Sequence, residues 1–164
     1  MSAVNLDDAQ TRARFAAARV ARLATVSADG APRLVPVTFA ALGPSGDFGT
    51  LQARGTIVTA VDHKPKRSTR LRRLEDIARQ PRVTLLADEY DDDWTRLWWA
   101  RADGLAHVVE PPDPAYMAAV RALAARYAQY REHPPAGPAI VVAVTRWSGW
   151  AFTDPGPDGV SRGS

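Results

Sequence analysis

Thr56-TIVTAVDHKPKRSTRLRRLEDIARQPRVTLL-Leu86 decides how the chain is read. A β-branched run, Thr56–Val61, breaks at the polar loop Asp62–Pro65. A short helical pattern follows, and after Pro81 a second β-branched run covers Val83–Leu86. Six Lys or Arg residues and no acid lie between His63 and Leu74. A strand that empties into a cationic loop and a helix N-terminus brings free backbone N–H groups and side-chain cations together, which is how proteins hold phosphate. With a helix beginning near Lys66, the residues Lys66, Arg70 and Arg73 share one face, while Arg67 falls on the stripe of Leu71, Leu74 and Ala78. A cation on that stripe at the positive end of the helix dipole is unfavourable unless an anion binds there. Lys64, Lys66, Arg67 and Arg70 therefore form a candidate phosphate cradle. The alternatives are a solvated basic helix paired with Glu75 or Asp76, and a nucleic-acid surface.

Outward from this stretch, the hairpin is the clearest element. Leu23–Val26 and Leu34–Phe39 flank Ser27-Ala-Asp-Gly30, and Asp-Gly is a strong turn signal. Pro36 lies within the second strand; it cannot donate to a ladder, so it marks an edge, a bulge or a ligand. Asn5–Arg19 reads as an amphipathic helix capped by Asn5 or Asp7, with Phe15 facing the core. Gly43–Gly49 is a turn, followed by a short strand near Leu51. Asp91–Asp93 form an acidic turn. Leu97–Val109 reads as a long strand, with Gly104 at a bulge or bend. Pro111, Pro112 and Pro114 start a helix whose apolar stripe is Met117, Val120, Leu123, Ala124 and Tyr127, extending to Tyr130. Ile140–Trp147 is the last strand, and residues 154–164 read as a disordered tail after one domain over residues 1–153. Strands joined by hairpin-sized links imply antiparallel pairing. The fold class is therefore mainly β with flanking α: a small antiparallel barrel with helices at its edges.

Composition narrows the chemistry. The 164 residues carry a formal net charge of +3, with 46% apolar and 24% charged residues and no cysteine, so thiolate chemistry and disulfides are excluded. No apolar run reaches the roughly 20 residues of a membrane span, and the first residues lack the pattern of a secretory signal. A cytoplasmic protein is expected, with no membrane partner. His63, His107 and His133 have no metal-ligand spacing, and His107, alternating with Leu105 and Val109, reads as a core histidine. No nucleophile elbow, phosphate-loop or dinucleotide fingerprint is present. Trp94, Trp98 and Trp99 are a whole strand away from the basic segment, unlike the interleaved aromatics of single-strand binders, so nucleic acid is not the expected partner. Catalysis, by elimination, rests on a bound cofactor.

The hairpin ARLATVSADGAPRLVPVTF, the stretch from Val58 to Val109 and the closing IVVAVTRWSGWAF together resemble the pyridoxamine-phosphate-oxidase-like split-barrel proteins. The Asp-Trp-x-x-Leu-Trp-Trp stretch with the later Asp-Gly is similar to the actinobacterial branch that depends on the deazaflavin coenzyme F₄₂₀. The resemblance implies an antiparallel split β-barrel of the flavin mononucleotide-binding type and a homodimer with cofactor at the interface. It also implies oxidoreductase activity: hydride transfer between the C5 of the cofactor and an electron-poor small molecule. Carried over by position, Val35, Pro36, Val37 and Thr38 offer backbone contacts to the ring edge and Thr59 ends its strand beneath the ribityl chain. Lys64, Lys66, Arg67 and Arg70 hold the phosphate; Trp98 and Trp150 lie near the ring. The flavin enzymes place Ser-x-Lys where this chain has Lys-Pro-Lys-Arg-Ser, and the surplus of cations suits the longer anionic tail of F₄₂₀. The alternatives are a flavin mononucleotide (FMN)-dependent enzyme of the same fold and a non-catalytic cofactor- or haem-binding module. No catalytic residue stands out; Tyr90 and His107 are candidate proton donors.

Overall fold

A computed structural model of the chain describes residues 3–43, 54–61 and 67–152, the side chains of residues 67–71 excepted. The order is β1 (Val4–Leu6), α1 (Asp8–Ala17), β2 (Ala21–Val26), β3 (Pro32–Val37), β4 (Ala40–Leu42), β5 (Thr56–Ala60), α2 (Arg67–Arg79) and β6 (Arg82–Glu89). After a 3-10 turn at Trp94–Arg96 come β7 (Trp98–Val109), α3 (Pro114–Arg126), α4 (Ala128–Glu132) and β8 (Ala139–Ala151). The eight strands form one antiparallel sheet in the order β3-β2-β6-β7-β8-β5-β4, with β1 added on β8. The expected mainly β, antiparallel split-barrel class is observed.

The ends of that order are consecutive in sequence. β3 and β4 occupy opposite edges, yet only Thr38 and Phe39 separate them. Three Cα–Cα steps reach about 11 Å at most, so the sheet must curl until its edges nearly meet. The barrel is thus closed by the covalent chain and left split in its hydrogen bonding.

Strict alternation fills the inside. In β2, Ala21, Leu23 and Thr25 are buried, and in β6 the same holds for Val83, Leu85 and Ala87. The barrel core closes on an aromatic trio: Phe15 lies 4.8 Å from Phe39 and 5.5 Å from Trp147, centroid to centroid. Phe15 is fully buried, so its truncation to Ala costs about 3–5 kcal/mol. A second core joins Tyr116, Ala119 and Leu123 of α3 to Val58 and Val141.

Local chemistry sets the boundaries. Asp7 caps α1 in a reciprocal box, accepting from the Gln10 N–H at 2.8 Å while Gln10 Oε1 accepts from the Asp7 N–H at 3.0 Å. Asn5 and Leu6, expected in the helix, instead belong to β1. Gly30 turns the hairpin at φ 84°, and beside it the Ser27 hydroxyl and the Ala31 N–H hold the Asp29 carboxyl below the ordinary carboxylate range. The second hairpin strand stops at Val37 rather than Phe39 because the chain leaves for the opposite edge. Pro36 lies on that edge strand, where its missing donor costs nothing. The expected bulge is present: the β7–β8 register shifts between Asp103 and Gly104.

Three apolar phases need correction. In α3 the buried face runs through Tyr116, Ala119 and Leu123, leaving Met117 exposed, and the helix breaks at Tyr127 before α4. In α2 the inward positions are Leu74, Asp76 and Ile77, while Ala78 is exposed. His107 is exposed on β7, not buried. Asp76 pairs with Arg33 of β3 at 2.8 Å rather than with its own basic helix. The turn at Gly43–Gly49 (beyond Gly43), the strand near Leu51 and the tail 154–164 lie outside the described residues.

Two substitutions test this architecture. A Cβ at Gly104 would sit 2.5 Å from Ala143 O and 2.8 Å from Val142 Cγ1, so Gly104→Ala should lower stability by about 1–3 kcal/mol in urea unfolding. Tyr127→Phe removes the hydroxyl that accepts the Phe39 N–H at 3.1 Å and should cost about 1–3 kcal/mol with an unchanged urea m-value.

Candidate functional site

The crossing between β3 and β4 has no partner strand, so side chains from elsewhere satisfy its backbone. Thr59, 1% exposed, donates its hydroxyl to Thr38 O at 2.7 Å. The Phe39 N–H donates to the Tyr127 hydroxyl, whose own proton faces Arg19 O at 2.8 Å and Phe39 O at 3.0 Å. Thr38 Oγ1 lies 2.8 Å from the Tyr130 hydroxyl. The Arg126 guanidinium covers the Phe39 ring at 4.7 Å and donates to Ala16 O and Ala18 O at the C-terminal end of α1. Thr59 of β5, Arg126 of α3, Tyr127 at the α3–α4 junction and Tyr130 of α4 thereby fix a two-residue link.

A cavity of about 380 Å³ opens against this link. Val20, Pro36, Val37, Ala60 and Val61 give it apolar walls; Thr38 and Tyr130 add hydroxyls, and Arg73 of α2 adds a cation. Its volume falls within the range of small-molecule sites. Of the residues expected at a site, Pro36, Val37 and Thr38 line this cavity, whereas Val35 packs on the barrel core and Thr59 lies beneath, holding Thr38. Lys64 and Lys66 lie outside the described residues; Arg67 and Arg70 belong to the first turns of α2, their side chains not described. Arg73, Val20, Ala60, Val61 and Tyr130 were not among the expected site residues. Arg73 was legible only as a member of the Lys66–Arg70 face.

Trp98 and Trp150 are not brought to this cavity. They line a separate groove of about 690 Å³ on the outer face of the sheet, with Trp99, Leu86, Leu97 and the strongly exposed Tyr90. The Arg22–Asp88 ion pair, at 2.8 Å, lies in the same groove. A third cavity, of about 460 Å³, shares Trp98 and Asp88 with the groove and Val20 with the cavity at the crossing. There the Arg14 guanidinium stacks over Trp98 at 5.5 Å, and Trp98 Nε1 donates to Glu89 at 3.0 Å. His107 lines none of the three. Among the described residues no cluster of three metal-ligating side chains occurs, and no helix is long and apolar enough to cross a membrane.

Chemically, then, the crossing offers a largely apolar cavity with two hydroxyls and a cation, separated from the aromatic groove by the cavity that borders both. Solved structures share this fold. An FAD-binding protein from Mesorhizobium loti is 17% identical over 93% of this chain and 100% of its own, with a TM-score of 0.66. A conserved hypothetical protein from Mycobacterium tuberculosis is 20% identical, covering 97% of this chain and 93% of its own, with a TM-score of 0.67. A heme-binding protein from Mycobacterium smegmatis is 20% identical over 88% of this chain and 54% of its own, with a TM-score of 0.57. At such identities the likeness is one of fold alone. No curated protein matches the sequence. The family model for pyridoxamine 5'-phosphate oxidase matches residues 7–151, from the cap of α1 to the end of β8, and the chain belongs to the pyridoxamine 5'-phosphate oxidase family.

Proposed function

We propose that this protein is a cytoplasmic oxidoreductase that uses the deazaflavin coenzyme F₄₂₀ and works as a homodimer with the cofactor at the interface. The observation that carries the reading is the cavity in which Pro36, Val37 and Thr38 meet the end of β5 and Arg73 of α2. Its donor set fits a flat conjugated ring ending in an anionic tail: apolar walls for the ring, hydroxyls along one side, a cation at the rim. The M. loti and M. smegmatis proteins, whose names state FAD and heme binding, support a flat conjugated ligand as the class. The six cations between His63 and Leu74 exceed what one phosphate needs, which favours the longer polyanionic tail of F₄₂₀ over FMN.

In this reading Lys64, Lys66, Arg67 and Arg70, joined by Arg73, hold the phosphate and tail. Val35, Pro36, Val37 and Thr38 border the ring through their backbone, and Thr59 keeps the Thr38 carbonyl in place from below. Val20, Ala60 and Val61 exclude water from the slot, which strengthens every charge interaction at its rim. Trp98 and Trp150, in the aromatic groove rather than the slot, would cover the ring held by the second protomer. When bound, the cofactor supplies the hydride-carrying carbon; the protein supplies orientation and a dry site.

Titration of cofactor-free protein with F₄₂₀, FMN and FAD tests the reading. F₄₂₀ should bind at least tenfold more tightly than either flavin; binding of the flavins alone would replace it with the flavin enzyme of the same fold. Arg67→Ala and Arg73→Ala should each weaken F₄₂₀ binding tenfold or more, about 1.4 kcal/mol, with little change in the thermal midpoint of the cofactor-free protein. Unchanged affinity in both variants would remove the phosphate from α2.

A further inference from the structure

The Arg14 side chain lies on the Trp98 ring but has no ion pair or hydrogen bond among the described residues. Its Nε is buried with no hydrogen-bond acceptor. The groups that could serve it are engaged. Glu89 attracts it, but Glu89 Oε1 accepts from Arg96 at 3.2 Å and Oε2 from Trp98 Nε1 at 3.0 Å. Asp88 pairs with Arg22. Two of the carbonyls at the end of α1, Ala16 O and Ala18 O, which a basic residue in the final turn would otherwise serve, accept from Arg126. Burial pulls the Arg14 guanidinium below its ordinary pKa, with Glu89 opposing, although an arginine stays charged at neutral pH.

What Arg14 faces is a cavity of about 460 Å³ whose floor is Trp98. A guanidinium laid on an indole and short of one counter-charge matches a planar monoanion, because its fork pairs both oxygens of a carboxylate. Arg19 also lines the cavity, but its guanidinium donates to Arg126 O at 3.2 Å and lies over the Tyr127 ring at 6.0 Å. A phosphate dianion suits the place less, since Asp88 and Glu89 line the same cavity and would repel the second charge. Trp98 continues into the aromatic groove with Trp99 and Trp150, and Val20 borders the slot assigned above to the cofactor.

We propose that Arg14 and Trp98 form the anchor for a flat organic acid, the carboxylate on Arg14 and the conjugated body along Trp98 into the aromatic groove. Its position beside the cofactor slot makes this acid the substrate class of the oxidoreductase. That last step rests on the reading above; the binding itself does not, and it is measured without cofactor.

The probes are trans-cinnamate and its uncharged amide, cinnamamide, titrated calorimetrically and by tryptophan fluorescence into the full-length, cofactor-free protein. Cinnamate should bind at least tenfold more tightly than cinnamamide and quench a signal that Trp98→Phe removes. Arg14→Gln should bring the two affinities together. Arg14→Lys, which keeps the charge and loses the fork, should retain a reduced preference for the acid and serves if the Gln variant does not fold. The proposal is overturned if neither probe binds, if cinnamate and cinnamamide bind alike, if phenyl phosphate binds as tightly as cinnamate, or if a folded Arg14 variant keeps the full preference. Because F₄₂₀ is absent throughout, each of these results stands apart from the outcome of the cofactor titration.

Discussion

The link Thr38–Phe39 is the constraint on which the rest of the molecule depends. It ties the two free edges of an eight-stranded sheet together, so the sheet has to curl, and the curl creates the enclosed core around Phe15, Phe39 and Trp147. The same link cannot be part of a ladder, so its N–H and C=O groups are served by Thr59 and Tyr127, with the Thr38 side chain meeting Tyr130. A buried backbone group without a partner costs about 1–3 kcal/mol, which explains why the Thr59 and Tyr127 hydroxyls gather at one point. The concave space they leave, walled by the ends of β3 and β5, is the candidate cofactor site. Closure of the barrel and formation of the site are thus one event.

The cations divide by what they face, and that division matters more than a net charge of +3. Arg22, Arg33, Arg54, Arg96 and Arg101 each lie within ion-pair distance of a carboxylate. Most of these pairs are half-exposed and contribute little to stability; the Arg33–Asp76 pair differs, since the Asp76 side chain is only 7% exposed and fastens α2 to the hairpin edge. Arg126 serves helix carbonyls. Arg14 has none of these, and the basic start of α2 contains no acid before Glu75. Arg73 of that helix lines the crossing cavity and Arg14 the cavity beside Trp98.

Elements carried by local chemistry were legible in the sequence. Asp-Gly at 29–30 marks the hairpin; of the alternatives at the other positions, Gly104 takes the bulge, Pro36 the edge strand, and Asp7 rather than Asn5 the cap. The two-residue transfer from β3 to β4 was not, because Val37-Thr-Phe-Ala40 reads as unbroken β-branched and aromatic sequence, and only the far pairing with β5 makes two strands of it. β1 escaped for a similar reason: three residues gain their order solely from β8. Apolar spacing puts Met117 inward because it does not distinguish two adjacent helical phases when alanines fill both; the residue is exposed. At the site, Pro36–Thr38 were legible through the proline and the family resemblance, whereas Tyr130 and Val20 reach the cavity only through tertiary packing. Trp98 and Trp150, which the family resemblance sets near the ring, line a groove apart from the crossing cavity. Arg14 gave no signal at all, since an arginine in an amphipathic helix is ordinary until its neighbours are found to be engaged.

The central claim is that the crossing is both the closure of the barrel and the wall of the cofactor site. Amide hydrogen exchange with and without F₄₂₀ addresses it directly. Cofactor should slow exchange in peptides covering Val35–Ala40 and Ile57–Val61 and leave Ile140–Val144, on the far side of β5, unchanged. Slowing confined to Trp98–Arg101 and Ser148–Ala151, with the crossing unaffected, would move the cofactor to the aromatic groove and contradict the account.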